Sequence, residues 1–103
     1  MAIHRCMAHP YGEPVFFTDS TKSFARMSGT PENDRVLGRT TEHKDGGVIV
    51  GVFDGSRQTL VHELVHAVLF ILSWKGMDPQ DSSGEAMAYL LDYLYGEGCK
   101  LVK

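Results

Sequence analysis

Between Leu60 and Trp74 the chain is almost uniformly aliphatic or aromatic, and the ionisable residues inside that run are His62, Glu63 and His66. The run is shorter than the roughly 20 apolar residues a membrane-spanning helix needs. It must therefore find its apolar surroundings inside a fold. Placed on a helix at about 100° per residue with His62 as origin, His66 falls near 40° and Glu63 near 100°. Leu60, Val61, Leu64, Val65, Val68, Ile71 and Leu72 fill most of the remaining circumference. No Lys or Arg occurs between Arg57 and Lys75. The expectation is a helix from Arg57 to about Trp74, buried nearly all round, with its three ionisable groups buried or on a cleft floor. A buried charge needs a partner or a metal ion. Ser56 is placed to cap the start of this helix, and Lys75 with Gly76 to close it.

The rest of the chain is punctuated around that helix. Pro10, Tyr11, Gly12 and Pro14 mark an irregular segment, and Val15 to Thr18 reads as a short strand. Asp19 or Ser20 can cap a helix running to about Met27, with Gly29 just beyond it. Pro31 sits in a loop. Val36 to Lys44 and Val48 to Phe53 flank Asp45-Gly46-Gly47, which predicts a hairpin. After a loop from Asp78 to Gly84, a final helix is expected from about Ser83 to Tyr95, stopped by Gly96 and Gly98. The element order predicts one α+β domain spanning residues 1–103, a small sheet with an antiparallel part packed on two or three helices.

Bulk properties narrow the function classes. The 103 residues carry a formal net charge of -3, with 43% hydrophobic and 22% charged residues. These values suit a globular domain, and there is no basic field to hold a nucleic-acid backbone. Cys6 and Cys99 lie near opposite ends, which is neither a disulfide framework nor metal-ligand spacing, so two reduced thiols are expected. Met1 to Cys6 lacks the apolar run of a secretion signal. A cytoplasmic protein without a membrane segment is the resulting expectation.

The chemistry lies in His62-Glu63-x-x-His66. Residues i and i+4 of a helix stand one above the other, about 5–6 Å apart at Cβ. Two imidazoles so placed can direct nitrogens at one zinc ion, and the Glu beside them can act as general base toward a water that zinc acidifies. A catalytic zinc takes three protein ligands. The acids after His66 are Asp78, Asp81, Glu85, Asp92 and Glu97. Glu85, near the start of the final helix, is the natural third donor. It also fits a capping box with Ser82, a role that would explain it without any metal. Asp92 is the next candidate, or else orients a histidine. Tyr89 can donate to a developing oxyanion or simply face solvent. His43 either sits near the cleft rim or is a solvated turn residue. A set of two His and one carboxylate also suits non-haem iron, but the embedded Glu63 favours hydrolysis and zinc.

The segments Thr59 to Val68 and Gly84 to Leu91 resemble small gluzincin-type zinc metallopeptidases, in particular the short single-domain versions encoded by phages and prophages. The resemblance takes in roughly residues 36–96. It implies a minimal zincin-like domain, one zinc at His62, His66 and Glu85, Glu63 as base, and an extended peptide or protein substrate. It further implies that Gly51 to Gly55, leading into the active-site helix, forms the upper rim of the cleft and pairs with that substrate. A phage origin implies the host cytoplasm. Larger relatives carry a further domain that closes the cleft. This chain has no room for one, so a shallow cleft is expected. That shallowness keeps a second function in view, a non-catalytic protein stabilised by zinc that blocks a host component. Hydrolysis of a non-peptide amide is a third, because the same chemistry serves any carbonyl.

Overall fold

The structure is a computed structural model and describes residues 2–103. Four strands, β1 (Ile3–Ala8), β2 (Glu13–Thr18), β3 (Gly38–Glu42) and β4 (Val48–Val52), form one sheet in the order β1-β2-β4-β3. The two outer pairings are antiparallel and the central β2–β4 pairing is parallel. Helices α1 (Thr21–Ser28), α2 (Arg57–Trp74) and α3 (Glu85–Gly98) complete the fold. It is an α+β domain, as the element order predicts, and its sheet is mixed.

Alternation along the strands divides the two faces. Val48, Val50 and Val52 of β4 join Val15 and Phe17 of β2 in a core closed by α2 and α3. Ile49 and Gly51 point the other way, and a Cβ on Gly51 would meet the rings of Phe24 of α1 and Phe53. Phe24 is buried there, edge-on to Phe53 with centroids 5.8 Å apart, under the Arg39 guanidinium. Glycine at position 51 is what lets α1 settle on this side.

The local signals for α1 and α2 act as expected. Ser20 Oγ accepts the Ser23 amide, and Gly29 ends α1 in the left-handed region at φ 72°. Ser56 Oγ accepts the amides of Gln58 and Thr59 at the start of α2.

Three expectations need correction. β1 was not foreseen in the sequence. Its inward positions are His4, Cys6 and Ala8, small or polar residues that leave no hydrophobic alternation to read. The final helix starts at Glu85 and runs through Gly96 to Gly98. It continues because bare Gly98 lies against Leu60 and Phe17, where a Cβ would come within 2.8 Å of the Leu60 side chain. The capping box also fails to form. Ser82 and Ser83 have left-handed φ of 53° and 59°, and Gly84 occupies the cap position with no side-chain bond.

Cys6 and Cys99 are not bonded to one another. Burial, helped by the Glu97 carboxylate, pushes the Cys6 thiol up to about 11. Among the described residues, no helix is long and apolar enough to cross a membrane.

Candidate active site

Helix α2 lies with one face on the sheet, burying Leu60, Glu63, Leu64, Ala67, Val68, Ile71 and Leu72. Its opposite face is open. Val61 and Leu69 are 40% and 39% exposed, and the His62 side chain is 71% exposed. This corrects the expectation of a helix buried all round. One sheet layer and a single neighbouring helix cannot enclose the whole circumference of α2. His62 and His66 are therefore solvent-facing, and Glu63 is the buried member of the group.

The two histidines stand together as their spacing requires. Their ring centroids are 5.1 Å apart and the rings meet edge to face. Among the described residues neither imidazole makes a hydrogen bond to another side chain. His62 Nε2 comes no closer than 4.0 Å to Glu63 Oε2, beyond hydrogen-bond reach.

Glu63 owes its position to a residue the sequence reading did not single out. The Thr40 hydroxyl lies 2.7 Å from Glu63 Oε1 and 3.0 Å from the Glu63 carbonyl oxygen, so it donates to a carboxylate that would otherwise be stranded near the core. Thr40 stands opposite Val50 in the sheet and so shares its helix-facing side. Gly38, two residues earlier, faces the same way. A Cβ there would lie 2.6 Å from Thr59 Cγ2 and 3.0 Å from Glu63 Cγ. The sequence signal was available: a glycine and a threonine at alternate positions of a strand next to a helix bearing a buried acid. Their meaning depends on which strand lies beside that acid.

Leu37, Gly38, Gln58, Thr59, His62 and Glu63 line a cleft of about 330 Å³ between β3 and α2. The turn that feeds α2 braces its wall. The Thr59 hydroxyl donates to Asp54 Oδ2 at 2.7 Å, and the Ser56 amide donates to Oδ1. The Thr59 bond is the main cause that holds the Asp54 carboxyl below its ordinary range.

The strand on the cleft rim differs from the one the resemblance implies. β4 is buried along its length and hydrogen-bonded on both edges, to β2 and to β3. It has no free edge for a substrate. Among the described residues β3 ends the sheet, runs beside the cleft and has no strand paired on its outer edge.

The proposed third donors lie on α3. Glu85 is exposed at its first turn, Tyr89 is 72% exposed, and Asp92 lies beside Val61 in a hollow between α2 and α3. Among the described residues no three His, Cys, Asp or Glu side chains are gathered around one point. The structure brings His62, His66 and Glu63 together on α2, while Glu85 stands on the first turn of α3. Two adjacent imidazole donors beside a carboxylate are chemically suited to a divalent ion of the zinc type. His43 is on neither the cleft nor α2. It packs on Phe16 with centroids 4.4 Å apart, and its Nδ1 accepts the Asp45 amide in the hairpin turn. In comparisons with protein-family models, curated proteins and solved structures, the chain matches none.

Proposed function

We propose that the chain is a zinc-dependent metallopeptidase of minimal zincin-like form, acting on an extended peptide segment. The observation that carries the proposal is the paired His62 and His66 imidazoles next to a buried Glu63 that Thr40 holds at the floor of a cleft. His62 and His66 would supply two nitrogen donors and Glu85 the third ligand. When bound, zinc lowers the pKa of a water to about 7 and polarises a carbonyl.

The protein's own residues do the rest. Glu63 takes a proton from the attacking water and returns it to the leaving nitrogen. Thr40 restrains the Glu63 carboxylate so that one oxygen is engaged and the other remains available on the His62 side. The unpaired edge of β3 offers backbone groups to an extended chain, which orders the substrate alongside the cleft. Because the cleft is open on the His62 side, substrates are unfolded or flexible segments able to lie against a rim.

The test combines metal content with turnover. The untagged chain should carry about one zinc, as two neutral imidazoles and a carboxylate would hold it. Glu85→Ala should lose most of that zinc, while Asp92→Ala should keep it. Glu63→Gln should keep zinc and lose hydrolysis of an unfolded protein substrate. A Glu63→Gln chain of full activity removes Glu63 as the base. A wild-type chain that binds no added zinc ends the metallopeptidase reading.

A further inference from the structure

A second hollow lies at the far end of the same rim. Glu13, Glu42, His43, Gly46, Gly47 and Trp74 enclose about 240 Å³. It is built from three elements. Glu42 is the last residue of β3, Glu13 is the first of β2, and Trp74 ends α2. Glu42 stands opposite Val48, and Gly38 stands opposite Val52. Glu42, Thr40 and Gly38 therefore share one face of β3, the face toward α2. The strand that lines the Glu63 cleft at its start thus carries an acid into this second hollow at its end.

The hollow's chemistry selects a cation. Lys75 Nζ lies 3.0 Å from Glu13 Oε2, so that carboxylate is already paired. Glu42 has no ion pair among the described residues and brings a carboxylate to the hollow that the Trp74 indole also lines. The Gly47 backbone closes the floor, and a Cβ there would fall 2.4 Å from the Pro14 carbonyl oxygen. A carboxylate beside an indole suits a guanidinium or ammonium on an aliphatic stem, whose methylenes lie on the ring and whose charge meets the acid.

Strand spacing sets where that group stands in a substrate. Strands advance about 3.3 Å per residue, and side chains return to the same face every second residue. Glu42 is two residues beyond Thr40 and four beyond Gly38. A chain paired with the β3 edge would place its residue opposite Glu42 two to four positions from the one beside Glu63.

We infer that the Glu13/Glu42/Trp74 hollow is a specificity subsite for an arginine or lysine side chain of an extended peptide bound along β3. This rests on the proposed peptidase reading for its biological meaning, yet it can be tested without turnover. Trp74 is the one tryptophan of the chain, so its fluorescence reports on the hollow directly. The Glu63→Gln protein, which leaves peptides intact, is titrated with the capped peptide Ala-Thr-Val-Arg-Val-Thr-Ala and with versions carrying norleucine or Glu in place of Arg.

The expected result is a saturable Trp74 response to the Arg peptide at a concentration about ten-fold below that for norleucine. Glu42→Gln should reduce that preference about three- to five-fold. Glu42→Arg should turn it toward the Glu peptide. Equal responses to Arg and norleucine, or a preference unchanged in Glu42→Gln, would overturn the assignment. Binding with these preferences by a chain whose wild type hydrolyses nothing would uphold the subsite and remove the peptidase. Hydrolysis indifferent to basic residues, with no Trp74 response, would do the reverse.

Discussion

At the scale of single residues, the site depends on Glu63 being buried while its two neighbouring histidines are not. A carboxylate at the edge of a core needs a hydrogen-bond partner, because leaving it unpartnered is costly. The Thr40 hydroxyl meets that need at 2.7 Å. Thr40→Val keeps the shape of the side chain and removes the donor. On the peptidase reading kcat should fall roughly ten-fold or more with little change in KM, since orientation of the base is lost and substrate contacts are not. Thr40→Ser should restore most of the rate, and a steady-state comparison of the three proteins checks the claim. His62, Glu63 and His66 were legible from the sequence as a group because helical spacing alone places them together. Thr40 was not, because a threonine in a strand has many roles and only the packing of β3 on α2 selects this one.

At the scale of elements, the close approach of β3 to α2 is what makes the cleft. Gly38 permits it. A Cβ at that position would lie 2.6 Å from Thr59 Cγ2 and 2.9 Å from the Gly51 carbonyl oxygen. Backbone on one side and a short branched side chain on the other leave little room to yield. Gly38→Ala should destabilise the fold by about 1–3 kcal/mol, read from urea unfolding, and on the peptidase reading should slow turnover by pushing Glu63 aside. A smaller, purely local effect is expected at the start of α2. Ser56→Ala removes the oxygen that accepts the Gln58 and Thr59 amides and should cost about 1 kcal/mol. Both caps and the hairpin between β3 and β4 were readable in advance, because capping and turn chemistry are local. The failed capping box at Ser82 was not, since the left-handed turn through Ser83 and Gly84 re-aims the chain before Glu85.

At the scale of the whole molecule, a side-chain hydrogen bond ties the first element to the last. His4 Nε2 of β1 lies 3.1 Å from Glu97 Oε1, and Lys100 Nζ lies 2.9 Å from Glu97 Oε2. Hydrogen bonds from Lys100 first, then His4, hold the Glu97 carboxyl below its ordinary range, and the same Glu97 contact raises Lys100. A depressed carboxyl contributes stability above its unfolded pKa, near 4.3, and loses it as pH falls through the lower folded value. The raised lysine contributes below its unfolded pKa, near 10.4, and loses that as pH rises through the higher folded value. Glu97→Gln should therefore lower Tm at pH 7, and the gap from wild type should close in strong acid, as thermal melts across pH would record. This tie was invisible in the sequence, as was β1 itself, because it joins residues 93 positions apart. What the sequence determined by itself was everything carried by short-range geometry: the helix spans in outline, the hairpin, the α+β class, and the alignment of His62, Glu63 and His66 on one helix. Only the tertiary structure decided which strand is the edge, which side of α2 faces water and what anchors Glu63. Those are properties of layers meeting one another, and no local period in a chain encodes which neighbour its surface will find.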